Sequence, residues 1–106
     1  MAITNTLILT TTATVVFTAV GEQAITTIMF CNTSLLDNCE LDVHVVPAAQ
    51  VPTTATTVLK NLMLPATETF VMDAEKLILS NGDTIQAQEK AGYNQTVAAT
   101  VSSVSI

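Results

Sequence analysis

Asp73-Ala74-Glu75-Lys76-Leu77-Ile78-Leu79-Ser80-Asn81-Gly82-Asp83-Thr84-Ile85-Gln86-Ala87-Gln88 is the stretch from which the fold of this 106-residue chain is read. At its centre, Asn81-Gly82 suits a tight hairpin turn, because both residues tolerate positive φ at low steric cost. Before the turn, Leu77-Ile78-Leu79 is a short apolar run. After it, Ile85 and Ala87 alternate with Thr84, Gln86 and Gln88, the period of a half-buried strand. Asp73-Ala74-Glu75-Lys76 is expected to form a single capped turn, with Asp73 accepting from nearby amides. The stretch therefore sets an all-β expectation, and it contains no group that obviously does chemistry.

Working outward, the rest of the chain repeats this grammar of short strands and turn signals. Residues 7–11 and 14–19 read as two short strands, followed by a turn at Gly21-Glu22-Gln23. Residues 24–31 form the most hydrophobic strand, expected at the centre of a sheet with both faces at least partly covered. A polar loop around Leu35-Leu36 spans residues 32–38. Residues 39–46 alternate, with Leu41, Val43 and Val45 placed inward, and Pro47 ends that strand because it cannot donate to a ladder. Residues 48–57 read as a long exposed loop, residues 58–64 as a strand or as one turn of helix followed by strand, residues 69–72 as a strand, and residues 89–95 as a loop. In the last strand, residues 96–106, Val97, Ala99 and Val101 share one parity while Val104 and Ile106 take the other. That slip suggests a bulge or a strand end passing to a neighbour. About eight strands result, and no helical segment is long enough to add a layer. The expected fold is a single-domain antiparallel β-sandwich of jelly-roll or immunoglobulin-like type.

Composition narrows the function classes. Apolar residues make up 49 % of the chain and charged residues only 11 %, and Thr and Val favour extended structure. Such a surface suits either a protein whose faces meet other subunits or a β-domain with a hydroxyl-rich exterior. The net charge is −6, with three lysines (Lys60, Lys76, Lys90) and no arginine. Binding to nucleic acid or to an anionic membrane needs clustered cations that this chain lacks. The N-terminus shows no basic, cleavable signal, and no apolar run of about 18 residues occurs, so synthesis in the cytoplasm is the expectation. Cys31 and Cys39 fit no zinc or haem spacing. They are either a cross-hairpin disulfide or two reduced, packed thiols, and cytoplasmic synthesis favours the thiols.

Few constellations offer chemistry. Glu40, Asp42 and His44 lie two residues apart on one strand face, which is either a solvated outer face or a partial metal-ligand set. Asp83 and Asp73 are expected to hydrogen-bond turn amides. Asp37 with Glu40 and Glu75 with Asp73 add carboxylates but no inferable cleft. No nucleophile elbow, phosphate-binding glycine loop or cofactor motif is present. An enzyme is the least supported class. Met29, Met63 and Met72 are expected to fill core gaps. The candidate contact residues are Val51 and Pro52 in the long loop, Leu35 and Leu36 in the polar loop, and the single tyrosine, Tyr93.

Residues 24–34, 41–47 and 69–85, running in that order, resemble the small virion structural proteins of tailed bacteriophages, particularly those of cyanobacteria and other aquatic bacteria. The segment Leu79-Ser80-Asn81-Gly82-Asp83-Thr84-Ile85 and the closing Val104-Ser105-Ile106 carry much of the likeness. The resemblance implies a non-enzymatic particle component, foremost a capsid decoration (cement) protein located in the virion. It would dock on the major capsid protein and act as a homo-oligomer, a dimer or trimer matched to symmetric sites. A neck, tail or baseplate component is the runner-up. A surface carbohydrate-binding module is disfavoured by the absence of Trp.

Overall fold

A computed structural model of the chain describes residues 2–8, 12–90 and 96–106. It is a two-sheet β-sandwich. Strands β1 (Ala2–Ile8), β2 (Thr14–Thr18), β3 (Gln23–Asn32), β4 (Cys39–Val46), β5 (Thr57–Leu64), β6 (Thr69–Leu79), β7 (Thr84–Glu89) and β8 (Val97–Ser105) are joined by loops, with one 3-10 turn at Thr54–Thr56. Sheet I has the order β1-β8-β3-β6 and sheet II the order β2-β7-β4-β5, and every strand pairing among the described residues is antiparallel. This is the eight-strand jelly-roll arrangement. Only β4 and β5 are consecutive strands paired within one sheet. Every other connection crosses between sheets.

Alternation explains the core. Ile85 and Ala87 of β7, Leu41 and Val43 of β4, and Val97, Ala99 and Val101 of β8 point between the sheets and are buried. They meet Ile25, Ile28 and Phe30 of β3, with Leu77, Met72 and Phe70 packed at the margin. The expected central strand is indeed central, with β8 and β6 on either side. Val45 is only partly buried, and Val46 takes the fully buried place at the strand end.

Several expectations need correction. The first strand begins at Ala2 instead of at residue 7, because the chain's two ends pair along Ala2↔Ser103 through Ile8↔Val97. Residues 73–76 are not a capped turn. They continue β6, whose pairing with β3 jumps from Leu77 to Asp73 opposite Ile25 and Thr27. The parity slip placed in the last strand belongs to β3: Ile25 pairs with Ser103 and Thr27 with Ser102, which leaves Thr26 as the extra residue. The Thr26 hydroxyl donates to the Ser102 carbonyl at 3.0 Å and so satisfies the bulge locally. The bulge lets Ile25 and Ile28, three positions apart, both face the core. A second bulge in β2, between Val15 and Phe17, similarly turns Val16 and Phe17 inward together. Met63 is 46 % exposed and Met29 lies on the outward parity of β3, so of the three methionines only Met72 packs against the core.

Asn81-Gly82 does form a tight turn, closed by the Asp83 amide on the Ser80 carbonyl at 3.0 Å, but the turn is not a hairpin. It carries the chain from β6 in sheet I to β7 in sheet II. Gly82 has φ 89°, whereas Asn81 is not among the positive-φ residues. One positive φ at the third position is the type II form, in contrast to the two that a type I′ hairpin needs. The turn is bound to its neighbours: the Gly82 amide donates to the Ala19 carbonyl and the Ala19 amide to the Asp83 carbonyl, both at 2.9 Å. The Gly21 amide donates to Asn81 Oδ1 at 2.8 Å. Asp83 accepts from the Ser80 and Ala48 amides, each at 2.9 Å. A Cβ on Gly82 would sit 2.9 Å from the Ala48 Cβ. Gly82→Ala is therefore expected to destabilise the fold by about 1–2 kcal/mol from backbone strain alone, with the clash adding to it. Urea unfolding of the two proteins measures the loss, and equal midpoints would contradict it.

Candidate docking site

The β3–β4 loop is built on one buried side chain. Asn32, 0 % exposed at the end of β3, sends Nδ2 to the carbonyls of Leu64 and Asp37, both at 2.9 Å. Its Oδ1 accepts from the Ser34 amide at 3.0 Å. A buried amide with three bonds is well satisfied, and each bond fixes a different piece of chain. The Ser34 hydroxyl then accepts from the Asp37 amide at 3.1 Å and the Leu36 amide at 3.4 Å. The Thr33 amide and hydroxyl both reach the Thr96 carbonyl, and the Thr67 amide donates to the Ser34 carbonyl. On this frame stand Leu35 and Leu36, 82 % and 88 % exposed. Apolar side chains held outward by a hydrogen-bonded loop are preorganised, so a partner that buries them loses little ordering entropy.

Val51, 70 % exposed, and the half-buried Pro52 lie in the β4–β5 connection at the opposite end of the sandwich. The candidate contact residues thus form two tips instead of one surface. Tyr93 lies outside the described residues. The 47–56 segment is not wholly an open loop. Its 3-10 turn packs on β4, where His44 Nδ1 lies 3.1 Å from the Thr56 hydroxyl and 3.3 Å from that of Thr57.

The Glu40, Asp42, His44 face departs from the solvated strand expected of it. Asp42 and His44 are buried, at 4 % and 7 % exposure. The cause is a bulge in β5: Leu41 pairs with Leu62 and Val43 with Leu59, so Lys60 and Asn61 together oppose Asp42. Asn61 takes φ 56°, and its amide donates to Asp42 Oδ1 at 2.9 Å. Lys60 and Lys90 bring their ammonium groups to 3.3 and 3.5 Å from Oδ2. Burial pushes the Asp42 carboxyl up, but the Asn61 amide bond and the two lysines outweigh it and hold the group below the usual carboxylate range. Asp42 and His44 thus have separate partners, and the described residues hold no cluster of three or more His, Cys, Asp or Glu arranged to bind a metal.

Cys31 and Cys39 are free thiols that face apart. Cys39 points into the core, and Cys31 falls on the outward parity of β3 between buried Phe30 and Asn32. The Cys39 thiol donates to Glu89 Oε1 at 3.0 Å. Burial first, then that bond and the Glu89 charge, push its pKa up to about 12, so it stays protonated and inert. A cleft of about 360 Å3 beside Phe17, Val20, Gln23 and Ser103 has no ionisable lining residue.

Compared with protein-family models, curated proteins and solved structures, the chain matches none. Its chemistry must be read from its own residues. Sequence reading found Leu35 and Leu36 as apolar residues stranded in a polar loop. It missed Asn32, whose partners Leu64 and Asp37 come together only in the fold. It also missed the pairing of Lys60 and Lys90 with Asp42.

The Asp42 cluster sets a pH dependence. A carboxyl whose pKa is lowered on folding adds stability above its unfolded pKa of about 4, and that stability is lost as pH falls through the folded value. Asp42→Asn is therefore expected to be less stable than wild type at pH 7, with the gap closing as pH drops below about 4. Chemical denaturation of both proteins across pH 2–7 checks this. A gap independent of pH would contradict the assignment.

Proposed function

We propose that this protein is a non-enzymatic structural component of a tailed-phage virion, most concretely a head decoration protein that docks on the major capsid protein lattice. The observation that carries the reading is the Asn32-braced tip presenting Leu35 and Leu36 to solvent. Burying a leucine side chain is worth roughly 1.5–3 kcal/mol, and rigid presentation preserves most of that on docking. The jelly roll adds support, because it is a recurrent architecture of capsid domains. So does the likeness of residues 24–34, 41–47 and 69–85 to small virion proteins. Binding only the assembled shell would stabilise it by mass action, multiplied over many symmetric copies.

Among the described residues, three groups with catalytic potential have structural partners. Asp42 is held by Lys60, Lys90 and Asn61, His44 sits on Thr56 and Thr57, and Cys39 bonds to Glu89. Two of the three lysines face one carboxylate, which leaves little cationic surface for nucleic acid.

Purified protein mixed with phage heads lacking it, then sedimented, tests the proposal. Wild type is expected to pellet with the heads. Leu35→Ser with Leu36→Ser is expected to bind about 100-fold more weakly or less, with an unchanged melting temperature because both residues are exposed. Equal binding by the variant, or binding to isolated tails but not heads, would overturn the assignment, the latter in favour of a neck or tail component.

A further inference from the structure

We infer that the outer face of sheet I is the interface between two copies of this chain, packed face to face about a twofold axis. The inference concerns the free protein and goes beyond the virion reading. Strands β1, β3 and β8 contain no Asp, Glu, Lys or Arg, and in β6 such residues occur only at positions 73–76. The register places one outward cross-strand row as Asn5, Thr100, Met29 and Val71. Leu7 lies on β1 beyond one side of that row, Ile3 beyond the other, and Ile78 stands near the end of β6. Ile3, Leu7, Val71 and Ile78 are 66 %, 57 %, 55 % and 58 % exposed, and Val104 adds 37 %. Within the central row the Thr100 hydroxyl donates to Asn5 Oδ1 at 2.9 Å, so this donor and acceptor are already matched within the face.

Charge selects the occupant. The chain carries −6, yet its acidic residues outside 73–76 lie in the loops and in sheet II. A basic partner would find almost nothing to pair with on sheet I. A second copy presents the same three strands without Asp, Glu, Lys or Arg, so β1, β3 and β8 meet no like charge, and the charged residues of the sheet are confined to positions 73–76 of β6. Self-matching of one patch is the isologous geometry of a twofold dimer, and sheet faces pack readily at about −30°.

Size and edges agree. Four strands about 4.8 Å apart, with 7, 9, 10 and 11 residues, give a face on the order of 600 Å2. That reaches the roughly 600 Å2 per partner at the lower end of specific interfaces. Three of the four sheet edges are interrupted by register shifts: β2, β5 and β6. Bulged edges resist edge-to-edge pairing, which leaves the faces and the one regular edge as the means of association. Edge pairing through the regular β1 is the rival geometry, and β6 lies on the far side of the sheet from it.

Sedimentation equilibrium of the purified chain at about 10–100 μM tests the inference, in the range where many homodimers of this size are populated. The expected mass is twice the 11.2 kDa of one chain. Val71→Lys with Ile78→Lys on β6, and separately Ile3→Lys on β1, are expected to give monomers with unchanged far-UV circular dichroism. Val15→Lys, on the outer side of sheet II, is expected to stay dimeric. The thiol of Cys31, on the proposed interface, should be labelled more slowly as concentration rises. A monomeric wild type would overturn the inference. So would a β6 double variant that remains dimeric, since that is the signature of β1 edge pairing.

Discussion

One end of this sandwich depends on the turn at Asn81-Gly82-Asp83. In a jelly roll nearly every connection must leave one sheet and enter the other, so no local hairpin holds the layers together. The turn does so through side chains and amides. Asn81 reaches Gly21, Asp83 reaches Ala48, and Gly82 lies against both Ala19 and Ala48. Three crossings or loops, β2–β3, β4–β5 and β6–β7, are thereby bound at one point. Gly82 is required twice over, by its positive φ and by the absence of a Cβ.

At the other end a single buried amide does comparable work. Asn32 links the end of β3 to the end of β5 and to the loop that carries Leu35 and Leu36. Sequence, loop geometry and exposure are connected through it: a polar residue at a strand end becomes an internal bracket, and two leucines become an outward tip. Asp42 plays a related part on sheet II, where it fills the bulge made by Lys60 and Asn61 and gathers two of the chain's few cations. Asn32, Asp42 and His44 thus spend their buried polar atoms on holding a loop, a bulge and the 3-10 turn.

Much of the architecture was legible because period-two alternation is a local signal. Thr84 to Glu89, Cys39 to Val46 and the start of β8 showed their inward faces directly, and Pro47 marked a true strand end. What failed was information that is not local. Asn81-Gly82 specifies a turn, but whether the strands on either side share a sheet depends on where β7 finds β2 and β4. Ile25 and Ile28 are three apart, a spacing that requires a bulge once both are buried. Parity alone, with Val97, Ala99 and Val101 against Val104 and Ile106, places the slip in the last strand instead. Asp73-Ala74-Glu75-Lys76 looks like a capped turn because capping and bulged strand edges use the same polar residues. The apolar tip at Leu35-Leu36 was visible, whereas its scaffold was not, because Asn32 bonds Leu64, 32 positions away.

We propose that the chain is displayed on a phage head. Gold-labelled antibody against the protein, applied to intact virions of the phage that carries its gene and viewed by electron microscopy, tests this most directly. Label spread over the heads is the predicted result. Label confined to the neck or tail, or no protein in purified virions, would contradict it.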